Sequence, residues 1–355
     1  MESCCRQLQS VLEWAAEDAN VAGAMGMVVA PKLDMQWCSA AGRNHPDSPE
    51  PQDSRRPFRI ASVSKLHVAA TVLRLAECGA LGLGQTVSVL VGADTSEQLT
   101  AAGYRPERMT VSQLLSHTSG LRDHAADDGY RAAVLAAPAK RWTRSEQVAF
   151  AMALGKPLAE PGQVFSYSDT GFIILGEVVE QVAGQGLGAT VRELLDFGGL
   201  GMSSTYWEET DVAPRGGPAR ATQFIGDADA THFDPSLDLF GGGGLVSTLE
   251  DLSTFARALI QGRVFNEPGT LAAGLFVPRV GRAPEQHVHS RLAMALPLGE
   301  LGGWGHFGFW GCGTVHCPDL DITVSVSINQ AIPARETLLG DVFGNFGRIL
   351  AAQLQ

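Results

Sequence analysis

Lysine is scarce in this chain. Only four (Lys32, Lys65, Lys140 and Lys156) stand among 26 basic residues, against 38 acidic ones, for a net charge of −12. No basic run exceeds the pair Arg55-Arg56, so nothing matches a phosphate backbone and nucleic acid is not an expected partner. The acidity serves solubility instead. Long hydrophobic runs are missing too: no stretch is long enough and free enough of charge to span a bilayer, so no membrane partner is expected. The first residues lack the basic start and apolar block of a secretory leader. With Leu8, Val11, Leu12 and Ala15 on one face they read as an amphipathic helix. The expected location is the cytoplasm, or beyond it if a leader has been trimmed. Six scattered cysteines make no disulfide framework. Neither Cys4-Cys5 nor Cys312 and Cys317 has the partner spacing of a zinc site. They read as small buried hydrophobes in a reducing compartment, with no metal and no cofactor implied. No internal repeat or low-complexity tract is present.

What is present is an ordinary globular composition, 45% hydrophobic over 355 residues, with strands and a helix at each end. Ala24–Ala30 and Met35–Ala41 predict a hairpin. Phe58–Ala61 predicts a short strand running into an apolar helix that stops at Cys78-Gly79. The middle is helix and loop: helices are expected at Val111–Leu115 behind Thr110, Ser145–Leu154 behind Thr143, Gly171–Val182 and Arg192–Leu195. Gly241–Gly244 is a four-glycine run that regular structure tolerates poorly. A helix capped by Thr248 follows, to about Ile260. Short strands are expected at Arg291–Pro297, Trp304–Trp310, Gly313–Cys317 and Ile322–Asn329, then a helix over Arg335–Leu354 by its apolar period. The pattern predicts an α+β fold with one antiparallel sheet built from both chain ends and flanked by the terminal helices. Residues 1–355 form one domain in this reading, with a sheet part of 1–61 plus 245–355 and a mainly helical part of 62–244.

Three short features carry chemistry. Ser62-Val63-Ser64-Lys65 opens the apolar helix. Residues i and i+3 share a helix face, and a helix N-terminus favours negative charge. A lysine one turn on can hold or take the serine proton and make the hydroxyl a nucleophile. Tyr167-Ser168-Asp169 follows a Pro161-Gly162 turn just before a helix. A tyrosine there can pass a proton if a nearby cation lowers its pKa. His306-Phe307-Gly308 lies in a glycine-rich strand, and glycines in strands mark close backbone approach. Each has a plain structural reading as well: a helix cap, a packed turn, a bulge.

In the order Ser-x-x-Lys, Tyr-x-Asp, His-x-Gly, the chain resembles the serine β-lactamase and penicillin-binding superfamily. It is most similar to the class C β-lactamase branch, which includes DD-peptidases, D-amino-acid amidases and carboxylesterases. Leu114-Leu115-Ser116-His117-Thr118-Ser119-Gly120-Leu121 and Gly241–Thr248 followed by Asp251-Leu252 are hallmark stretches of that branch. The resemblance runs from about residue 20 to 330. It implies a β-lactamase-like fold, with Ser62 as the acylated nucleophile and Lys65 assisting its deprotonation. Tyr167 would pass a proton between Ser62 and the leaving group. His306 would stand on the strand lining the site. The N–H groups of Ser62 and Phe309 would form the oxyanion hole, where one donor is commonly worth about 3 kcal/mol.

Two departures bear on the substrate. The family's Tyr-x-Asn is here Tyr167-x-Asp169, and an ionised aspartate cannot donate to an amide carbonyl. Asp169 can accept instead, from Lys65 or from a substrate ammonium. His306 stands where many β-lactamases carry lysine, which weakens attraction for a substrate carboxylate. The apolar pair Phe309-Trp310 suits an uncharged acyl group. The substrate-binding set is therefore Asp169, His306, Gly308 and Phe309, and the catalytic set Ser62, Lys65 and Tyr167. His117 reads as a structural hydrogen-bonder, His287 and His289 as surface residues, and Trp304 and Trp310 equally as core or as substrate contacts. Neighbouring positive charge is expected to lower the Tyr167 pKa and burial to lower that of Lys65. The expected activity is hydrolysis of a small carboxylic ester through an acyl-enzyme. D-amino-acid amidase, DD-peptidase or weak β-lactamase activity are the alternatives within the class, and a non-catalytic scaffolding role the alternative outside it. The partner is a small-molecule ester or amide; the oligomeric state is left open.

Overall fold

The computed structural model describes residues 2–278, 280, 288–331 and 336–354. In chain order its first part holds α1 (Glu2–Ala16), β1 (Gly23–Ala30), β2 (Met35–Gly42), β3 (Phe58–Arg59) and α2 (Ser64–Glu77). Then come α3 (Ala93–Ala101), α4 (Val111–Leu115), α5 (Asp128–Ala136), α6 (Arg144–Ala153), α7 (Asp169–Ala183) and α8 (Leu187–Leu194). After β4 (Tyr206–Trp207), β5 (Phe224–Ile225), β6 (Ala228–Asp229) and β7 (Leu245–Ser247) lie α9 (Leu249–Ile260) and α10 (Pro268–Gly274). The chain returns through β8 (Val288–His289), β9 (Met294–Leu298), β10 (Leu301–Gly308), β11 (Cys312–Cys317) and β12 (Ile322–Ser327) to α11 (Glu336–Ala351).

Seven strands form one antiparallel sheet in the order β2-β1-β12-β11-β10-β9-β8. The N-terminal hairpin meets the C-terminal strands at β1–β12, where Met25 pairs with Ser327 and Val28 with Val324. Strand alternation sorts the two faces. Ala24, Val28, Val324 and Val326 pack against Leu8 and Leu12 of α1 and Phe343 and Phe346 of α11. Gly26 lies on that face, and a Cβ there would come within 3.1 Å of Phe346. Met25 and Met27 face the other way, into the core shared by α2, α7 and α9. Sheet and terminal helices thus match the α+β reading. No described helix is long and apolar enough to cross a membrane.

Local signals place the helices. The Thr110 and Thr143 side chains cap α4 and α6 in full capping boxes with Gln113 and Glu146, and Thr248 caps α9; each such cap is worth about 1 kcal/mol. Gly184, at φ 69°, ends α7 in the left-handed region. The sequence reading missed α3, α5 and α10, and set α8 at Arg192–Leu195 where it runs Leu187–Leu194. It also missed the small sheet β3-β7-β4. That sheet ties the strand before Ser62 to the one after the glycine run, with Phe58 opposite Ser247. The β10 strand ends at Gly308, two residues short of expectation.

Candidate active site

Ser62 lies in a single 3-10 turn, Ala61–Val63, that feeds α2. N–H groups in such a first turn have no partner within the helix. Ala61, just before it, has φ 42°, in the left-handed region that non-glycine residues rarely adopt. This sharp entry brings Ser62 into a cavity of about 110 Å3 that Asp169, Asp238, Tyr130 and Phe309 also line.

Lys65 is one turn on and fully buried. Its Nζ donates to Ser62 Oγ at 2.9 Å, to the Gly242 carbonyl at 2.5 Å, and to Asp169 Oδ1. Three donors meet three acceptors, the geometry of an ammonium. Burial opposes that charge, but Asp169 and Tyr167 outweigh it and hold the Lys65 pKa above its ordinary value. The expectation of a lowered lysine pKa is therefore corrected: the carboxylate at Tyr-x-Asp supplies the counter-charge that burial alone would have denied it.

Tyr167 sits beside Lys65, whose ammonium lies 5.2 Å from the ring centroid. Its buried hydroxyl feels Lys65 and Ser62 but completes no well-formed hydrogen bond, a looseness common in unliganded sites. The expected lowering of its pKa is also corrected. Burial is the larger effect, and with Asp169 it pushes the phenol up despite Lys65. Tyr167 is a neutral donor here, not a phenolate.

Asp169 opens α7, behind Ser168, whose side chain caps Gly171 N–H. Asp123 Oδ1 accepts from the N–H groups of Asp169 at 3.0 Å and Thr170 at 3.3 Å. This clamps the helix start against Lys65. Burial, then the Asp169 charge, push the Asp123 carboxyl up to about 7. Asp238, at the end of a 3-10 turn (Pro235–Asp238), is pushed up to about 7 by the same two causes in the same order. The glycine run explains how two carboxylates come so near. A Cβ on Gly242 would meet Asp169 Oδ1 at 3.1 Å, and one on Gly243 would meet the Asp238 carboxylate at 2.3 Å.

The third feature lies across the cavity. Within β10, Leu301–Gly303 pair with β9, Trp304 and Gly305 pair with both β9 and β11, and His306–Gly308 extend past β9 and keep only β11 as a neighbour. The strand lies inside the sheet order but is open on its β9 side where it passes Ser62. Gly308 packs on the Ser62 turn: a Cβ would strike the Ile60 carbonyl at 2.3 Å. The N–H of Phe309, next in the chain, makes no hydrogen bond among the described residues. His306 contacts the Phe307 carbonyl through Nδ1 at 2.6 Å, and its ring lies 6.1 Å from that of Tyr167.

His117 accepts from Ser168 N–H at 3.1 Å and stacks on Tyr167 at 4.4 Å. Burial first, then nearby His289, Lys65 and His306, keep it neutral; it orients the tyrosine loop. His289 is not the surface residue expected: its ring lies 5.5 Å from Tyr167 and 5.2 Å from His117. His287 lies outside the described residues. Trp310 is fully buried with Arg59 over its ring, so it is core, and Trp304 packs against the main core. Sequence reasoning missed Asp123, Asp238 and the Gly242 carbonyl. Asp123 follows the Leu114–Leu121 hallmark and Asp238 precedes the glycine run, and those positions were the available signal.

A sequence model of the Beta-lactamase family matches residues 15–342. The chain belongs to the beta-lactamase family. It is similar to penicillin-binding protein 4* of Bacillus subtilis (strain 168), 24% identical over 276 residues, 72% of this chain and 56% of that protein. It is also similar to esterase EstB of Burkholderia gladioli, 29% identical over 222 residues, 54% of this chain and 49% of that protein. The chain thus spans about half the length of these curated relatives. Among solved structures it resembles D-amino acid amidase from Ochrobactrum anthropi SV3, complexed with L-phenylalanine amide, at TM-score 0.81, 21% identity and 99% coverage of both chains. It also resembles EstCE1, a hydrolase with promiscuous acyltransferase activity, at TM-score 0.76 and 22% identity, covering 97% of this chain and 99% of that one. These likenesses establish the fold. The family supports a serine hydrolase with esterase, amidase and penicillin-binding relatives.

Proposed function

We propose that the protein hydrolyses small carboxylic esters through an acyl-enzyme on Ser62. The observation that carries this is the 2.9 Å hydrogen bond between Lys65 Nζ and Ser62 Oγ, at a strained turn facing a cavity. Ser62 Oγ attacks the ester carbonyl and its proton passes to Lys65, while Lys65 gives one to Asp169, so the lysine stays an ammonium throughout. The N–H groups of Ser62 and Phe309 receive the developing oxyanion. The carbon–oxygen bond to the alcohol breaks and Tyr167 protonates the departing alkoxide. The proton held by Asp169 restores Tyr167 through Lys65. Water then repeats the sequence on the acyl-enzyme and frees the acid.

Esters are favoured over amides because Asp169, unlike asparagine, offers no N–H to an amide carbonyl. His306 also brings no permanent charge for a substrate carboxylate. Amidase, DD-peptidase or weak β-lactamase activity is the second reading, supported by the relatives' names. A scaffolding role is disfavoured because each position the chemistry needs is filled. The test is labelling with a fluorophosphonate, followed by a panel of p-nitrophenyl esters, D-amino-acid amides and nitrocefin. Labelled Ser62 with ester turnover supports the proposal; an unlabelled, inert protein refutes it.

A further inference from the structure

The cavity beside Ser62 is lined by two carboxylates, Asp169 and Asp238, and by Arg131. With Asp123 outside that lining, three carboxylates feel the one Lys65 ammonium. Asp169 is engaged by Lys65, and Asp123 by the N–H groups at the start of α7. Asp238 differs from both. No hydrogen bond or ion pair reaches its carboxylate among the described residues, and it lines the cavity together with Ser62. It is half-buried, and besides this cavity it borders two much smaller ones. The nearby cations are committed elsewhere. Arg59 spends its donors on Glu208 and on the Ala230 and Phe233 carbonyls. Arg131, on the outer wall, pairs with Asp128.

Asp238 is also held in place. Its neighbour Leu237 presents a carbonyl that accepts from Tyr130 Oη at 3.0 Å and from Gln147 Nε2 at 3.1 Å. On the far side Gly243 lies so close that any side chain there would displace the carboxylate. A carboxylate held against protein without a partner is costly, and burial, then the Asp169 charge, push it up to about 7. A ligand cation would relieve it. A metal ion fits poorly, since no three His, Cys, Asp or Glu side chains among the described residues are set to hold one. The rest of the lining, including Tyr130, Leu237 and Phe309, is apolar or aromatic.

We propose that Asp238 reads a primary ammonium on the acyl group of the substrate, so that the preferred esters are small amino-acyl esters. This rests on the acyl-enzyme reading above and narrows its substrate class. The sequence had offered Asp169 for that ammonium. Because Asp169 is already bound to Lys65, the task falls to Asp238. The ligand ammonium and the carboxylate form a charge-assisted hydrogen bond inside the cavity, beside the carbon that Ser62 attacks. Neutral acyl groups of the same size leave Asp238 unpaired.

The experiment compares kcat/KM for alanine methyl ester (each enantiomer), N-acetylalanine methyl ester and methyl propionate. Each value is divided by the ester's own hydroxide-catalysed rate, which removes the activating effect of the ammonium. The parent protein is expected to prefer one alanine ester over methyl propionate and over the N-acetyl ester by at least about tenfold. In Asp238→Asn that preference ratio is expected to fall at least about tenfold, with near-UV circular dichroism checking the fold. Equal use of charged and neutral acyl groups by the parent overturns the proposal whether or not the variant folds. So does an unchanged ratio in a folded variant. Turnover of p-nitrophenyl acetate with label on Ser62 separates the two levels: if it is absent, the hydrolase reading falls and this one with it; if it is present without the ammonium preference, only this inference falls.

Discussion

The Asp169 carboxylate and the Ser62 hydroxyl accept hydrogen bonds from the same Lys65 ammonium. The proposed nucleophile is thus linked through one lysine to the carboxylate proposed to receive its proton. The relay predicts that Lys65→Ala and Tyr167→Phe each lower kcat by at least about a hundredfold, the usual range for lost acid–base catalysis. Ser62→Ala is expected to remove covalent labelling and turnover altogether. Mass spectrometry placing the adduct on Ser64 or Ser168, or near-normal rates in either relay variant, sinks this assignment.

Asp169→Asn tests the lysine's charge state. Burial lowers the Lys65 pKa and Asp169 raises it, so removing the carboxylate lets that pKa fall. Lys65 then loses its proton as pH rises and can serve as the base itself. The expected profile is a rate below the parent's at pH 7 that climbs toward alkaline pH, where the parent is flat. The regained amide N–H should also raise the kcat/KM ratio of nitrocefin to p-nitrophenyl acetate, since a lost donor to a buried carbonyl costs roughly 1–3 kcal/mol. Parallel pH profiles in the two proteins, or a flat or lower ratio, contradict this account.

His67 predicts an acid-sensitive core. Its ring stacks on Phe255 at 3.6 Å, and neither ring nitrogen has a well-formed hydrogen bond. Burial, only slightly offset by the Val63 carbonyl, lowers its pKa to about 3. An unfolded histidine titrates near 6.5, so between these values the unfolded chain binds a proton that the folded chain refuses. Stability from this group is present above about pH 6.5 and is lost as pH falls toward 3, by about 1.4 kcal/mol per pH unit. His67→Leu should therefore gain in unfolding midpoint over the parent as pH drops from 6.5 to 4.5. A constant gap in guanidinium unfolding across that range would falsify the assignment.

Gly308→Ala tests the approach of β10 to the Ser62 turn. The added methyl would meet the Ile60 carbonyl at 2.3 Å and Cys312 Sγ at 2.8 Å, so the strand must move. Overpacking of this kind costs about 1–3 kcal/mol. Both the thermal midpoint and the rate of Ser62 labelling are expected to fall. An unchanged labelling rate would mean that Gly308 does not set the geometry of the turn.

What the sequence revealed follows from range. Ser62 and Lys65 lie one helical turn apart, and Thr110, Thr143 and Thr248 cap helices that begin at the next residue, so local spacing carries those features. The terminal strands were legible because alternation is local as well. Asp238 and Asp123 were not, because only the folded chain brings them to Asp169. The two pKa directions failed for the same reason: the sign at Lys65 depends on a carboxylate 104 residues away, and at Tyr167 on burial that spacing does not report. His289 passed for a surface residue because its neighbours Tyr167 and His117 come from distant loops. The helices α3 and α5 escaped because they bury few residues, Thr95 and Leu99 in one and Tyr130 and Val134 in the other.

The β1–β12 pairing sets an order on biogenesis. Met25 finds Ser327 across nearly the whole chain, a contact whose closure entropy is met only after everything between has been made. On the ribosome the first hairpin therefore waits for its sheet, with the β1 backbone edge from Met25 to Val29 unpaired until β12 emerges. Phe309, the residue after β10 that lines the cavity, arrives equally late. Ser62 is synthesised in the first fifth of the chain, yet its proposed chemistry is assembled almost at the end of translation. A nascent chain stalled before residue 300 should carry Ser62 in a form that a fluorophosphonate ignores.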